Sequence, residues 1–108
     1  MKLAPTPYNE VERLDNLLSY NVLDTPPESD FDDITALASQ VCNVPIALVS
    51  LIDQDRQWFK SRHGLDAVET PRDISFCGHT IHQSEIFEIV NALKDERFSD
   101  NPLVTGEP

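Results

Sequence analysis

Positive charge, glycine, cysteine and long apolar runs are all scarce in this sequence. Eight lysines and arginines stand against nineteen aspartates and glutamates in 108 residues, a formal net charge of −11. The cations, from Lys2 to Arg97, form no basic run. A surface of that sign repels a phosphate backbone, so direct nucleic-acid binding is not expected, and the acidity serves solubility. No segment approaches the ~18 consecutive apolar residues that a membrane helix needs. Met1 to Pro7 carries one lysine with no apolar stretch behind it, unlike a secretory signal. The segment is therefore expected to make no membrane contact and to be cytoplasmic. Two cysteines, Cys42 and Cys77, lie far apart without a CxxC pair and read as reduced thiols. No cofactor is expected.

What is present suits one small domain, since 40% of the residues are hydrophobic. After a tail of residues 1–9, Asn9 and Glu12 read as a capping box, with Val11, Leu14, Leu17 and Leu18 at helical spacing up to about Tyr20 and Asn21 as the exit. Thr25-Pro26-Pro27-Glu28 reads as a second start, and Phe31, Ile34, Leu37, Ala38 and Val41 follow on one expected core face, ending near Asn43. Ile46 to Ile52 is short, apolar and β-branched, which suits a central strand covered on both faces. Asp53 to Arg56 supplies a turn and Gln57 to Arg62 a returning arm that Gly64 ends, making a hairpin. A polar connection, Asp66 to Asp73, leads to a short helix over Ser75 to His82 capped by Ser75. Glu85 to Val90 is expected as a third strand, with a single turn near Asp95 to Ser99. That strand has no evident antiparallel neighbour, and Pro102 to Pro108 reads as turn residues before further strands.

Taken in order, Leu23-Asp24-Thr25-Pro26-Pro27-Glu28, Pro45 to Asp53, Gln57-Trp58-Phe59-Lys60, Ser75-Phe76-Cys77-Gly78-His79 and Asp100-Asn101-Pro102-Leu103-Val104 resemble one family. The sequence is similar to the front portion of a GAF domain, of the type found in bacterial sensor histidine kinases and diguanylate cyclases. The resemblance implies an α+β fold over residues 10–108: a GAF-like antiparallel sheet with flanking helices, here truncated after about three strands. It also implies a small-molecule pocket on one side of the sheet and a downstream effector domain in the full-length protein.

The candidate chemistry is thin. Arg72, Asp73, Arg97 and Phe98 fall in segments that line the pocket in ligand-binding GAF domains and are candidate contacts to a small acidic or nucleotide-like ligand, with a local Arg-to-Asp ion pair as the equal alternative; Phe76, Cys77 and His79 complete the candidate ligand contacts. A ligand sensor should then show a cavity walled by residues 71 to 84 and 92 to 101, whereas a pure dimerisation module should have that region filled by side chains. Cys77 opens the short helix, where free backbone donors favour a thiolate, or it is a buried small hydrophobe. Free methionine sulfoxide reductases are GAF proteins with a similar Cys-Gly, but no cysteine follows Cys77 to resolve it. His79 and His82 lie three apart, yet Cys77 and His79 fall on different faces and no third ligand has a fitting spacing, so no metal site is expected. Asp53 and Asp55 read as turn residues, and Trp58 and Phe59 as packing residues on opposite strand faces. The leading expectation is a sensory module of a bacterial signal-transduction protein without catalysis. The alternatives are a dimerisation module using Val11, Leu14 and Leu18, and the reductase. A homodimer is expected in the first two cases.

Overall fold

The computed structural model describes residues 1–106. Glu107 and Pro108, the end of the expected domain 10–108, lie outside the described residues. Two helices open the chain, α1 (Glu10–Ser19) and α2 (Ser29–Cys42). The expected capping box on α1 does not form: Asn9 makes no side-chain cap, and its carbonyl accepts from the Arg13 N–H at 2.9 Å. Glu10, not Glu12, turns inward, drawn by two arginines. Thr25 does not start α2 either. Glu28, in extended conformation, precedes Ser29, while Thr25 Oγ1 donates to the Val22 carbonyl and accepts from Lys60. Both helices leave through asparagines of positive φ, Asn21 and Asn43, as their sequences predict.

The face of α2 differs most from its pattern. Thr35 is buried, with Phe31, Asp32, Ala38 and Ser39 beside it, whereas Ile34, Leu37 and Val41 are exposed. The reason is polar: Thr35 Oγ1 meets Ser61 Oγ at 2.9 Å, and Ser61 Oγ donates to Asp32 Oδ1 at 2.6 Å. A buried hydroxyl network needs every partner, and rotating the apolar stripe inward would strand Ser61.

The sheet is antiparallel in the order β1 (Ala47–Ile52), β2 (Arg56–His63), β3 (Glu69–Pro71). The hairpin is as expected: Asp53 N–H donates to the Arg56 carbonyl, and the Asp53 carboxylate accepts from Gln54 N–H and Arg56 Nε. Arg56 also pairs with Asp24 and Glu69, joining three chain segments at one guanidinium. Two expectations fail. Among the described residues β1 is an edge strand and β2 the central one, with Trp58 and Phe59 in the core alongside Ile52 and Phe98. The third strand is Glu69–Pro71, inside the expected connection, while Glu85 to Val90 is irregular with Ile86 and Val90 exposed. Glu69 to Pro71 returns directly beside Arg56 to Trp58, whereas the intervening helical turn carries Glu85 to Val90 away from the sheet.

A bulge in the hairpin sets what each face presents. Val49 faces Ser61 and Ser50 faces Phe59, leaving Lys60 as the extra residue. Lys60 and Ser61 therefore both reach the α2 side, while Gln57 and Phe59 point to the other. The Lys60 side chain is 1% exposed, and its ammonium donates to Thr25 Oγ1 at 2.8 Å and the Pro26 carbonyl at 2.7 Å and meets Glu28 at 2.6 Å. Lys60→Met is expected to lower stability by about 2 kcal/mol, because several charge-assisted bonds are lost while the exposed Glu28 regains water. Glu28→Gln should cost about half as much, since the two neutral acceptors remain. Urea unfolding of both variants checks the order.

On the opposite face lie α3 (Cys77–Thr80) and α4 (Pro102–Thr105). Ser75 caps the first as its sequence predicts, accepting from Gly78 N–H at 3.0 Å while donating to the Arg72 carbonyl at 2.7 Å. The second replaces the expected turn-like end: Asn101 accepts from Leu103 N–H at 2.9 Å and Pro102 takes the first helical position. Residues 1–9 lie against this face, with Pro7 buried and the Pro5 carbonyl 2.6 Å from the His82 ring. No helix of the described residues is long and apolar enough to cross a membrane.

Candidate ligand-binding groove

Strand alternation sends Gln57 and Phe59 toward α3, and with Ile46 and Leu48 they floor a groove of about 340 Å³. Thr70 of β3 and the loop residues Leu65 and Ala67 form one side; Phe76, Cys77 and Leu103 form the roof. That volume sits at the small end of the ~300–1,000 Å³ of small-molecule sites. Among the described residues its lining includes no charged side chain. A larger hollow of about 540 Å³ lies across the sheet between β2 and the Asp24 to Pro27 segment, but Asp24, Asp32 and Lys60 there are bound to Arg56, Ser61 and Glu28.

The seven expected contact residues divide. Phe76 and Cys77 reach the groove, and Cys77 Sγ lies 3.2 Å from Ser50 Oγ. Phe98 does not line it: at 1% exposure it is core, 4.3 Å from the Phe76 ring and 5.0 Å from His79 in an edge-on contact. The expected cavity between residues 71 to 84 and 92 to 101 is thus filled by Phe98, with Asn101 buried beside it and donating to the Ile74 carbonyl at 2.9 Å. Burial holds the His79 imidazole below its ordinary pKa, with Arg97 nearby adding to the shift. His79 and His82 go to different partners, one to Phe98 and one to Pro5. Arg97 stacks on Phe87 at 5.0 Å and is bound bidentately by Asp95, whose pKa its hydrogen bonds pull down to about 2. Asp73 is exposed outside the groove.

Arg72 is engaged as well. Its guanidinium donates to both Glu10 oxygens, at 2.6 and 3.2 Å, and to the Asp53 and Gln54 carbonyls of the hairpin turn. Arg13 grips the same carboxylate at 2.7 Å and donates to the Ile52 carbonyl at 2.6 Å. Hydrogen bonds from Arg72, then Arg13, lower the Glu10 pKa from 4.5 to about 2. A depressed carboxylate stabilises the fold fully above its unfolded pKa, and that contribution is lost as pH falls from about 4.5 through about 2. Glu10→Gln is therefore expected to cost about 1–2 kcal/mol at neutral pH, after solvent screening, with the gap to wild type closing across that acid window. Denaturant midpoints at pH 7 and pH 3 measure it.

Sequence reasoning missed two residues. Gln57 opens the Gln57-Trp58-Phe59-Lys60 motif and lies two positions before Phe59, so strand period placed it on the groove face, but it was not among the candidate contacts. Glu10 pairs with an arginine 62 positions away, a distance at which sequence carries no signal.

The fold and groove define a small α+β module in which one sheet face carries α2 and the other a ligand-sized hollow under a short capped helix. The model of the GAF domain family matches residues 26–108, and the chain belongs to that family. Its helices and three-stranded antiparallel sheet are a partial GAF fold. Over 108 residues it is 40% identical to a cyclic di-GMP phosphodiesterase of Pseudomonas aeruginosa, a match covering all of this chain and 18% of that protein. The chain thus spans less than a fifth of the relative's length and matches as a regulatory signalling module.

Proposed function

We propose that this chain is a cytoplasmic sensory module of a bacterial signal-transduction protein, which binds a small molecule in the groove and relays occupancy to a downstream effector without chemistry of its own. The carrying observation is the groove's roof. Phe76 and Cys77 follow Ser75, whose hydroxyl is bonded to Arg72, whose guanidinium is bonded to Glu10 of α1. A guest that moves the roof pulls on α1. The effector is a nucleotide-signalling or kinase domain, the first favoured by the phosphodiesterase relative. Cys77 is a groove wall in this reading: its sulfur faces a hydroxyl, and the 108 residues hold no later cysteine. A thermal-shift screen of small molecules tests it. Some compounds should raise the melting temperature of the wild type and not of Ala67→Trp, which fills the groove from an exposed position; an equal response of both proteins would refute the site.

A second reading, homodimerisation through α1, is favoured by the filling of the region between residues 71 to 84 and 92 to 101 by Phe98, and by Val11 and Leu18, exposed at 74% and 57%. Leu14 is half-buried between them. Sedimentation equilibrium of Val11→Glu/Leu18→Glu should show a monomer where wild type is dimeric; a wild-type monomer would dismiss it.

A further inference from the structure

We infer that the groove takes an uncharged, mostly apolar, planar molecule with one hydrogen-bond donor, and not a nucleotide or other anion; this rests on the ligand-binding reading above. An anion buried beneath Phe76 needs a cation or several free N–H groups to replace its water. The described residues of the lining supply neither. The two arginines of the neighbouring segments are spent, Arg72 on Glu10 and Arg97 on Asp95, and both engagements are bidentate. Of the three cations of the central strand, Lys60 is held on the opposite sheet face by the bulge, Arg56 is paired with Asp24, Asp53 and Glu69, and Arg62 lines the hollow on that opposite face and donates to the Leu65 and Asp66 carbonyls. The protein's own charge of −11 adds a long-range penalty for anions. In contrast, the groove offers flat apolar surface on both sides, Phe59 below and Phe76 above. Two polar groups in it, Gln57 and Thr70, pair with each other and keep capacity for a guest. Gln57 is buried and donates its amide Nε2 to Thr70 Oγ1 at 3.1 Å, which orients the amide and leaves its carbonyl oxygen as an acceptor for a guest. An apolar slot with one oriented acceptor recognises a heteroaromatic N–H or a hydroxyl on a ring.

Indole, 1-methylindole and GMP are the probes, titrated into the ¹⁵N-labelled 108-residue protein and followed by amide shifts. Indole should give saturable shifts at the groove residues, and 1-methylindole, which lacks the donor, should bind about fivefold more weakly, the size of one net hydrogen bond. Gln57→Leu should erase that difference while both compounds still bind. Ala67→Trp should abolish the shifts, and Leu37→Glu on the exposed α2 stripe should leave them intact. Saturable groove shifts with GMP and none with indole would overturn the ligand class and leave the ligand-binding reading standing. Silence from all three probes would overturn both. Indole shifts that survive Ala67→Trp, or that vanish in Leu37→Glu, would show indole reading the α2 stripe and overturn the inference. Equal affinity of the two indoles for wild type would refute the role given to Gln57.

Discussion

Phe98→Ala is expected to destabilise the protein by about 3–5 kcal/mol, the cost of removing a fully buried aromatic ring and leaving a cavity. Phe98 is 1% exposed and is the hub of the cluster that joins Phe76, His79 and Phe87. The loss extends beyond transfer free energy, because Phe76 at 4.3 Å and His79 at 5.0 Å each lose a ring partner. Urea denaturation should show a lower midpoint, and Phe98→Leu should restore more than half of the stability. The same variant separates two accounts of this region. As a ligand-contacting wall, Phe98 would be nearly neutral for stability and costly for binding. As the core that props the roof, it costs stability first, and binding falls only with the fold.

Gly64→Ala is expected to cost about 2–4 kcal/mol, a large effect for one methyl group on an exposed residue. Gly64 follows β2 with φ of +78°, a region that an alanine enters only with strain. A Cβ there would meet the Pro45 carbonyl oxygen at 1.9 Å, a contact with backbone that no rotamer relieves. Gly64 thus lets the end of β2 pass the segment that leads into β1. Because the clash falls at the mouth of the hairpin, hydrogen exchange should quicken first at Ala47, Leu48, Arg62 and His63. An unchanged melting temperature would contradict the close approach.

These two effects show how unevenly the sequence discloses the molecule. Gly64, the hairpin turn and the Ser75 cap were legible because each rests on local chemistry: a positive φ, a carboxylate beside free N–H groups, a hydroxyl three residues before a helical amide. The helices were legible by period, yet the orientation of α2 was not. Its apolar stripe named a core face, but the serine that the bulge places opposite Thr35 and Asp32 chose the other. Glu85 to Val90 has strand composition but, among the described residues, no strand beside it, while Glu69 to Pro71 has poor composition and an adjacent partner; pairing geometry decided both. Of the seven candidate contacts, Phe76 and Cys77, which follow the Ser75 cap, are the two that line the groove. Arg72 and Arg97 were marked as candidate ligand contacts with a local ion pair as the alternative, and the fold engages them with Glu10 and Asp95; the Asp95 pairing is local, whereas Glu10 lies 62 positions from Arg72 and only the folded chain shows it.

A regulatory role for the groove beneath Phe76 and Cys77 is open to one direct measurement. The matching segment of the Pseudomonas phosphodiesterase, 18% of its length, is replaced by this chain, and phosphodiesterase activity is compared for the wild-type insert, Ala67→Trp and Leu37→Glu. Filling the groove should shift activity by at least about fivefold, the lower bound of ordinary allosteric coupling, while Leu37→Glu should leave it unchanged. Equal activity of all three chimeras, each folded, would contradict a regulatory groove.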